Sequence, residues 1–145
     1  MPAQLATKPS VILERRIKAP PAKVYAAWTD PKKIMRWWGP DAGPTTHAET
    51  DVRFGGTFRV AFRTIDGKEH ECSGVYREVV PDRKLVFTWT WTDTPEPESL
   101  VTIDIKHAGD GALLTLTHEQ IFDNTVHDYA WGWTGSLNKL EKLFA

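Results

Sequence analysis

The chain has 145 residues, with 18 Lys and Arg against 19 Asp and Glu, one Cys and seven Trp. That length suits a single globular domain, residues 1–145, which buries roughly 68–70% of its unfolded surface and needs no disulfide or structural metal. A lone Cys72 makes no internal disulfide and is expected of a cytoplasmic protein; no stretch reads as a signal peptide or as a membrane span of about 18 apolar residues.

Charge is uneven: residues 1–40 hold eight basic against two acidic side chains, residues 41–145 ten against seventeen. The basic groups, among them Arg15, Lys23, Lys33 and Arg36, are spread over a strand and two helices and gather on no single face, so a nucleic-acid partner is not expected. The Trp content calls for either an aromatic core or an aromatic cavity.

Residues 1–9 read as a flexible tail. From Ser10 to Lys18 the pattern alternates, with Val11, Leu13 and Ile17 among charged neighbours, and Pro20-Pro21 stops this first strand. Pro21 suits a helix first turn, and Val24, Tyr25 and Trp28 follow at helical spacing to a stop near Asp30. Asp30-Pro31 reads as the cap of a second short helix through Ile34, Trp37 and Trp38, ended by Gly39-Pro40. From Thr45 the period becomes two. Phe58, Val60 and Phe62, then Leu85, Phe87, Trp89 and Trp91, then Val101, Ile103 and Ile105 alternate with polar residues. Turn signals at Gly55-Gly56, Asp66-Gly67, Pro81-Asp82 and Gly109-Asp110-Gly111 divide about six antiparallel strands, with the longest loop expected at Thr94–Glu98. Asp51 and Arg53 read as a salt-linked corner before Gly55-Gly56. After Phe122 the spacing of Val126, Tyr129, Trp133, Leu137, Leu140 and Phe144 gives a C-terminal helix of roughly twenty residues, about 30 Å long. Gly132 and Gly135 inside it weaken the helix by about 1 kcal/mol each, tolerable where its backbone must approach something closely.

The order of strand, two short helices, a run of strands and one long helix is an α+β domain: a curved antiparallel sheet of six to seven strands wrapped around a terminal helix. The chain resembles the START-like (SRPBCC, helix-grip) superfamily, and within it the family named after the C-terminal domain of the activator of the heat-shock protein 90 ATPase. The resemblance runs from Val11 to Phe144. Its carriers are Ala19-Pro20-Pro21, Trp28-Thr29-Asp30-Pro31, Trp37-Trp38-Gly39-Pro40, Asp51-Val52-Arg53, Gly74–Val79, Leu85–Trp89, Leu114–His118 and Gly132-Trp133 with Leu137 and Leu140. It implies the helix-grip fold with a space between sheet and helix. The eukaryotic activator has a further N-terminal domain for which this chain has no room, so chaperone activation is not carried over as the leading function.

If the apolar strand faces meet the terminal helix, the cavity lining follows by parity. It takes Phe58, Val60, Phe62, Cys72, Tyr76, Phe87, Trp89, Trp91, Ile103, Leu114, Leu116 and His118, with Trp38, Val126, Tyr129 and Trp133 from the helices. This aromatic box suits binding of a small hydrophobic or aromatic molecule, with no cofactor. His118, on the inward parity of the last strand, is the candidate acid/base or ligand-orienting group, with Tyr76 as partner in a cyclase- or hydrolase-type alternative acting on an aromatic or polyketide-like substrate. A co-regulator of the chaperone ATPase is the second alternative. His70 and Cys72 share a strand face, but no second ligand pair accompanies them and no metal site is expected. Trp131, off the helix stripe, reads equally as an interface anchor or as cover for a loop, so monomer and homodimer both stay open.

Overall fold

A computed structural model describes residues 10–92, 94–121 and 126–145, with backbone only for 94–97, 126 and 127. The expected 1–9 tail lies outside the described residues. Strand β1 (Val11–Ile17) is buried at both ends and half-exposed between, as its alternation requires. Helix α1 (Pro21–Thr29) starts at Pro21 and buries Val24, Ala27 and Trp28. It stops at Asp30 because Pro31 drives the preceding residue into extended backbone, here φ −83 and ψ 117. The Asp30 carboxylate then accepts from Lys32 N at 2.9 Å and caps α2 (Pro31–Ile34).

Regular helix ends at Ile34, earlier than the apolar spacing predicts. Trp37 and Trp38 instead occupy the turn beyond, where Trp38 N still reaches Ile34 O at 3.1 Å. The Trp37 indole N–H donates to Ala27 O at 3.0 Å, so this turn folds back on α1. Gly39, at φ +117, then reverses the chain in a conformation that side chains disfavour.

The described strands form one antiparallel sheet in the order β1-β7-β6-β5-β4-β3-β2. Its members after β1 are β2 (Thr45–Thr50), β3 (Thr57–Arg63), β4 (Glu69–Val80), β5 (Lys84–Trp91), β6 (Thr94–Ala108) and β7 (Gly111–Glu119). Thus the expected loop at Thr94–Glu98 is instead the opening of β6, with Thr94 paired to Trp91. Pro95 and Pro97 mislead because β7 joins β6 only from Leu100 onward. Among the described residues the start of β6 therefore pairs with no strand on its β7 side, where a missing N–H breaks no ladder. Register shifts at Thr45/His47, Tyr76/Glu78 and Trp89/Trp91 bend the sheet. The Asp51–Arg53 corner is as read, with Arg53 Nε donating to both carboxylate oxygens at 2.9 and 3.0 Å.

Helix α3 (Val126–Leu143) lies over the concave face and buries Trp133, Ser136, Leu137 and Leu140. Arg15 of β1 ties its far end down through Glu141 at 3.0 Å. This is the helix-grip arrangement. Between sheet and helices, Trp28, Trp37, Trp38, Trp89 and Trp133 are each under 5% exposed, with neighbouring ring centroids 4.6–6.0 Å apart. Most of the Trp content is therefore packed core, at edge-on and tilted geometries and, for Trp38–Trp89, a stacked one that aromatic quadrupoles favour.

Candidate functional site

Beside the N-terminal half of α3 a cleft of about 570 Å³ opens between helix and sheet. Trp89 and Trp91 of β5 reach it from the sheet, the first buried and the second half-buried. The Trp91 indole N–H donates to the Tyr129 hydroxyl at 2.9 Å, and the two ring planes lie within 7° of parallel. Strand and helix thereby present one rigid flat wall. Beside Trp91 on the same sheet stand Phe62 and His70, a registered pair on β3 and β4 whose rings stack at 5.2 Å and each lie 6.2 Å from the Trp91 ring. His70 Nε2 lies 3.2 Å from Thr64 Oγ1.

The third wall is the segment 38–41 that follows α2. It is clipped to α3 by Ser136 Oγ, which donates to Gly39 O at 2.9 Å and accepts from Gly39 N at 3.2 Å. Lys139 Nζ adds a bond to Asp41 O at 2.6 Å. Gly135 makes the approach possible: a Cβ there would sit 1.9 Å from Pro40 O. Gly132 is different, since its Cβ would meet Pro40 Cβ only at an ordinary 3.9 Å, and this residue lines the cleft. The Asp41 carboxylate accepts from Gly43 N at 2.9 Å and Ile65 N at 3.2 Å, linking the segment to the β3–β4 turn. Ile65 on that turn is 74% exposed and Trp131 on α3 is 61% exposed, both at the mouth.

His118 sits behind the cleft, fully buried. Its Nδ1 accepts from the Trp133 indole N–H at 2.9 Å. An indole nitrogen only donates, so the imidazole proton is on Nε2, which faces Ser99 Oγ at 2.7 Å. Ser99 in turn donates to Trp89 O at 3.5 Å. Burial pushes the His118 pKa down to about 3, which keeps the ring neutral. The network joins β5, β6, β7 and α3 behind Trp89 and Trp133 of the cleft.

Of the residues that parity selects, Trp38, Phe62, Trp89, Trp91, Tyr129 and Trp133 line the cleft. Phe58, Tyr76 and Phe87 do not: they pack on one another at 4.9–6.1 Å around a void of only about 10 Å³, no larger than one water needs. Burial raises the Tyr76 hydroxyl pKa. Cys72 is also core, its thiol donating to Val60 O at 3.6 Å with its pKa raised by burial. Val60, Ile103, Leu114 and Leu116 are fully buried as well, and the Val126 side chain lies outside the described residues. Among the described residues no three His, Cys, Asp or Glu gather as metal ligands.

Parity passes over His70 as a wall and Gly39, Pro40, Asp41, Ile65, Asp128 and Trp131 altogether. The sequence marks their regions only as a helix stop at Gly39-Pro40, a turn at Asp66-Gly67 and an off-stripe Trp131; that these come together around one cleft is a matter of tertiary structure.

Solved structures with the same fold include protein CV1439 from Chromobacterium violaceum, at 30% identity and TM-score 0.85 over 93% of this chain and 96% of that one. The AHSA1 (SPO3351) protein from Silicibacter pomeroyi matches at 28% identity and TM-score 0.81, over 93% and 96% of the two chains. CalU16 from Micromonospora echinospora matches at 29% identity and TM-score 0.72, over 94% of this chain and 76% of that one. A comparison with curated proteins finds no match. The family model described as activator of Hsp90 ATPase homolog 1-like protein covers residues 18–145, nearly the whole chain, and the chain belongs to that family.

Proposed function

We propose that this protein binds a small, flat, largely apolar molecule in the cleft between the β3–β5 face, the 38–41 segment and the N-terminal half of α3. The observation that carries the reading is the cleft itself, about 570 Å³ and walled by Trp38, Phe62, Trp89, Trp91, Tyr129 and Trp133. That volume falls within the range of small-molecule sites, and aromatic walls with a few polar edges are what such sites use. Proteins of this fold commonly hold hydrophobic ligands, which supports the same reading.

Within it, His118 is an anchor and not an acid or base. Proton transfer would require it to give up its Trp133 or Ser99 partner inside a region without water access, and to titrate far from neutrality. Tyr76 belongs to the separate solid cluster with Phe58 and Phe87.

The test is a thermal-shift and Trp-fluorescence screen against planar apolar compounds, run on wild type and on Gly132→Leu. Position 132 lines the cleft and has open space around it, so the added side chain fills the site without a backbone clash. A ligand at a hundred times its Kd should stabilise wild type by about 2.7 kcal/mol and leave the variant unmoved. No response across a broad panel, or an equal response from Gly132→Leu, overturns the proposal.

A further inference from the structure

The charge at the mouth of the cleft bears on which apolar molecules it would select. The charged groups lining it are Asp41, Asp66, Asp128 and Lys68. Two of the three carboxylates are occupied by the chain itself. Asp41 holds the backbone N–H groups of Gly43 and Ile65, with Lys139 as its electrostatic neighbour. Asp66 accepts from Thr64 Oγ1 at 2.6 Å and Lys68 N at 3.0 Å, and those bonds hold its pKa below the usual carboxylate range. Asp128 is different: it is exposed, it lines the cleft, and among the described residues it has no hydrogen-bond or ion-pair partner. It precedes Tyr129 in the flat Trp91–Tyr129 wall and lies three residues before the exposed Trp131, one turn along the same helix.

An uncommitted carboxylate at the edge of aromatic faces is the chemistry that recognises an organic ammonium. The ring faces attract the cation through their quadrupoles, and the carboxylate completes its neutralisation. The first turn of α3 contributes the opposite sign, but as a partial charge of roughly half a unit it does not cancel a full carboxylate. Lys68, the cation in the lining, is balanced by its neighbour Asp66, whose pKa it helps to lower.

We infer that the preferred ligand is an arylalkylamine in its ammonium form, with its ring in the cleft and its cationic group between Asp128 and the aromatic faces beside it on α3. This rests on the binding role proposed above and adds the ligand's charge and orientation. Neutral aromatics should fit the same walls more weakly. Aromatic carboxylates should be rejected, because two anions would then share one partly desolvated mouth.

Isothermal titration with three probes of one ring size tests this: naphthalen-2-ylmethylammonium, naphthalen-2-ylmethanol and 2-naphthoate. Each is measured at pH 7.5 in low and in 0.5 M salt, on wild type, Asp128→Asn and Gly132→Leu. The expected order is ammonium over alcohol by roughly fivefold, with naphthoate weakest. High salt should shrink the preference, since the carboxylate is solvent-exposed. Asp128→Asn should weaken the ammonium severalfold and bring it to near equality with the alcohol, and circular dichroism should show the variant folded. If the alcohol or naphthoate binds as tightly as the ammonium, or if Asp128→Asn keeps the preference, the charge inference is overturned while cleft binding stands. If none of the probes binds wild type, or Gly132→Leu binds them equally, the binding role falls with it.

Discussion

Gly135 and Gly132 stand three residues apart on the same helix, yet replacing each with Ala should change stability in opposite directions. At Gly135 the new Cβ would lie 1.9 Å from Pro40 O, 2.8 Å from Pro40 C and 3.2 Å from Pro40 Cα. All three are backbone atoms, so relief requires the 38–41 segment to move more than 1 Å away from α3 to reach the 3.0 Å that real contacts respect. That movement would stretch both Ser136–Gly39 bonds and the Lys139–Asp41 bond beside them. Losing two or three such bonds at about 1 kcal/mol each outweighs the helix-propensity gain of about 1 kcal/mol. The expected net loss is about 1–2 kcal/mol, within the usual range for overpacking a fitted site. At Gly132 the Cβ meets an ordinary 3.9 Å contact, so the propensity gain survives and Ala should add about 0.5–1 kcal/mol. For a chain of this size the two variants should melt roughly 5–10 °C apart, on opposite sides of wild type. Urea unfolding followed by Trp fluorescence, with wild type in parallel, gives both values. A Gly135→Ala variant as stable as wild type would mean that the segment yields freely, and the fixed third wall of the cleft would go with it.

Acid stability should carry the signature of His118. Its folded pKa of about 3 lies below the unfolded 6.5, so the unfolded chain binds the extra proton between them. The contribution is full above pH 6.5 and is lost as pH falls toward 3, by up to about 1.4 kcal/mol per unit. Unfolding free energies at pH 7.0, 6.0 and 5.5, above the range where most carboxylates titrate, should fall in wild type and more gently in His118→Gln; equal slopes would refute the assignment. Cys72 is buried with its thiol pKa raised, so alkylation of the native protein should proceed only at the rate of unfolding, and rapid labelling without denaturant would contradict its place in the core. Trp131→Ala should leave stability within about 0.5 kcal/mol, because the ring is 61% exposed, yet weaken binding of a planar ligand severalfold. An unchanged Kd would remove Trp131 from the site.

The fold was legible because period and punctuation agree along most of the chain. Phe58, Val60 and Phe62 alternate on a strand that buries all three, and Asp30-Pro31 both ends one helix and caps the next. Thr94–Glu98, with Pro95 and Pro97, reads as a loop, yet it is strand because β7 joins β6 only beyond it. That is a matter of pairing, which a single segment does not encode. In the same way, alternation shows that Phe87 and Trp89 point inward but not what each meets there. Phe87 finds Phe58 and Tyr76 at core distances, whereas Trp89 reaches the cleft wall two residues later.

What separates solid core from cleft is set by backbone features outside the apolar pattern. The 38–41 segment is held against α3 by Ser136 and Lys139, while the β3–β4 turn is tied to that segment through Asp41. Together they build walls beside the first turns of the helix, and among the described residues no side chain fills the space they enclose. At the other end, Leu137 and Leu140 of α3 are fully buried and Arg15 of β1 draws Glu141 in, so the helix closes on the sheet. The gap is thus confined to the end where two glycines replace side chains on α3, one to admit Pro40 and one left facing the cleft. A helix bearing Ala at both positions would have higher intrinsic propensity, at the expense of the close approach that forms the third wall. The two glycines that weaken the helix are therefore the sequence's clearest local mark of the cleft, more specific than any of its seven tryptophans.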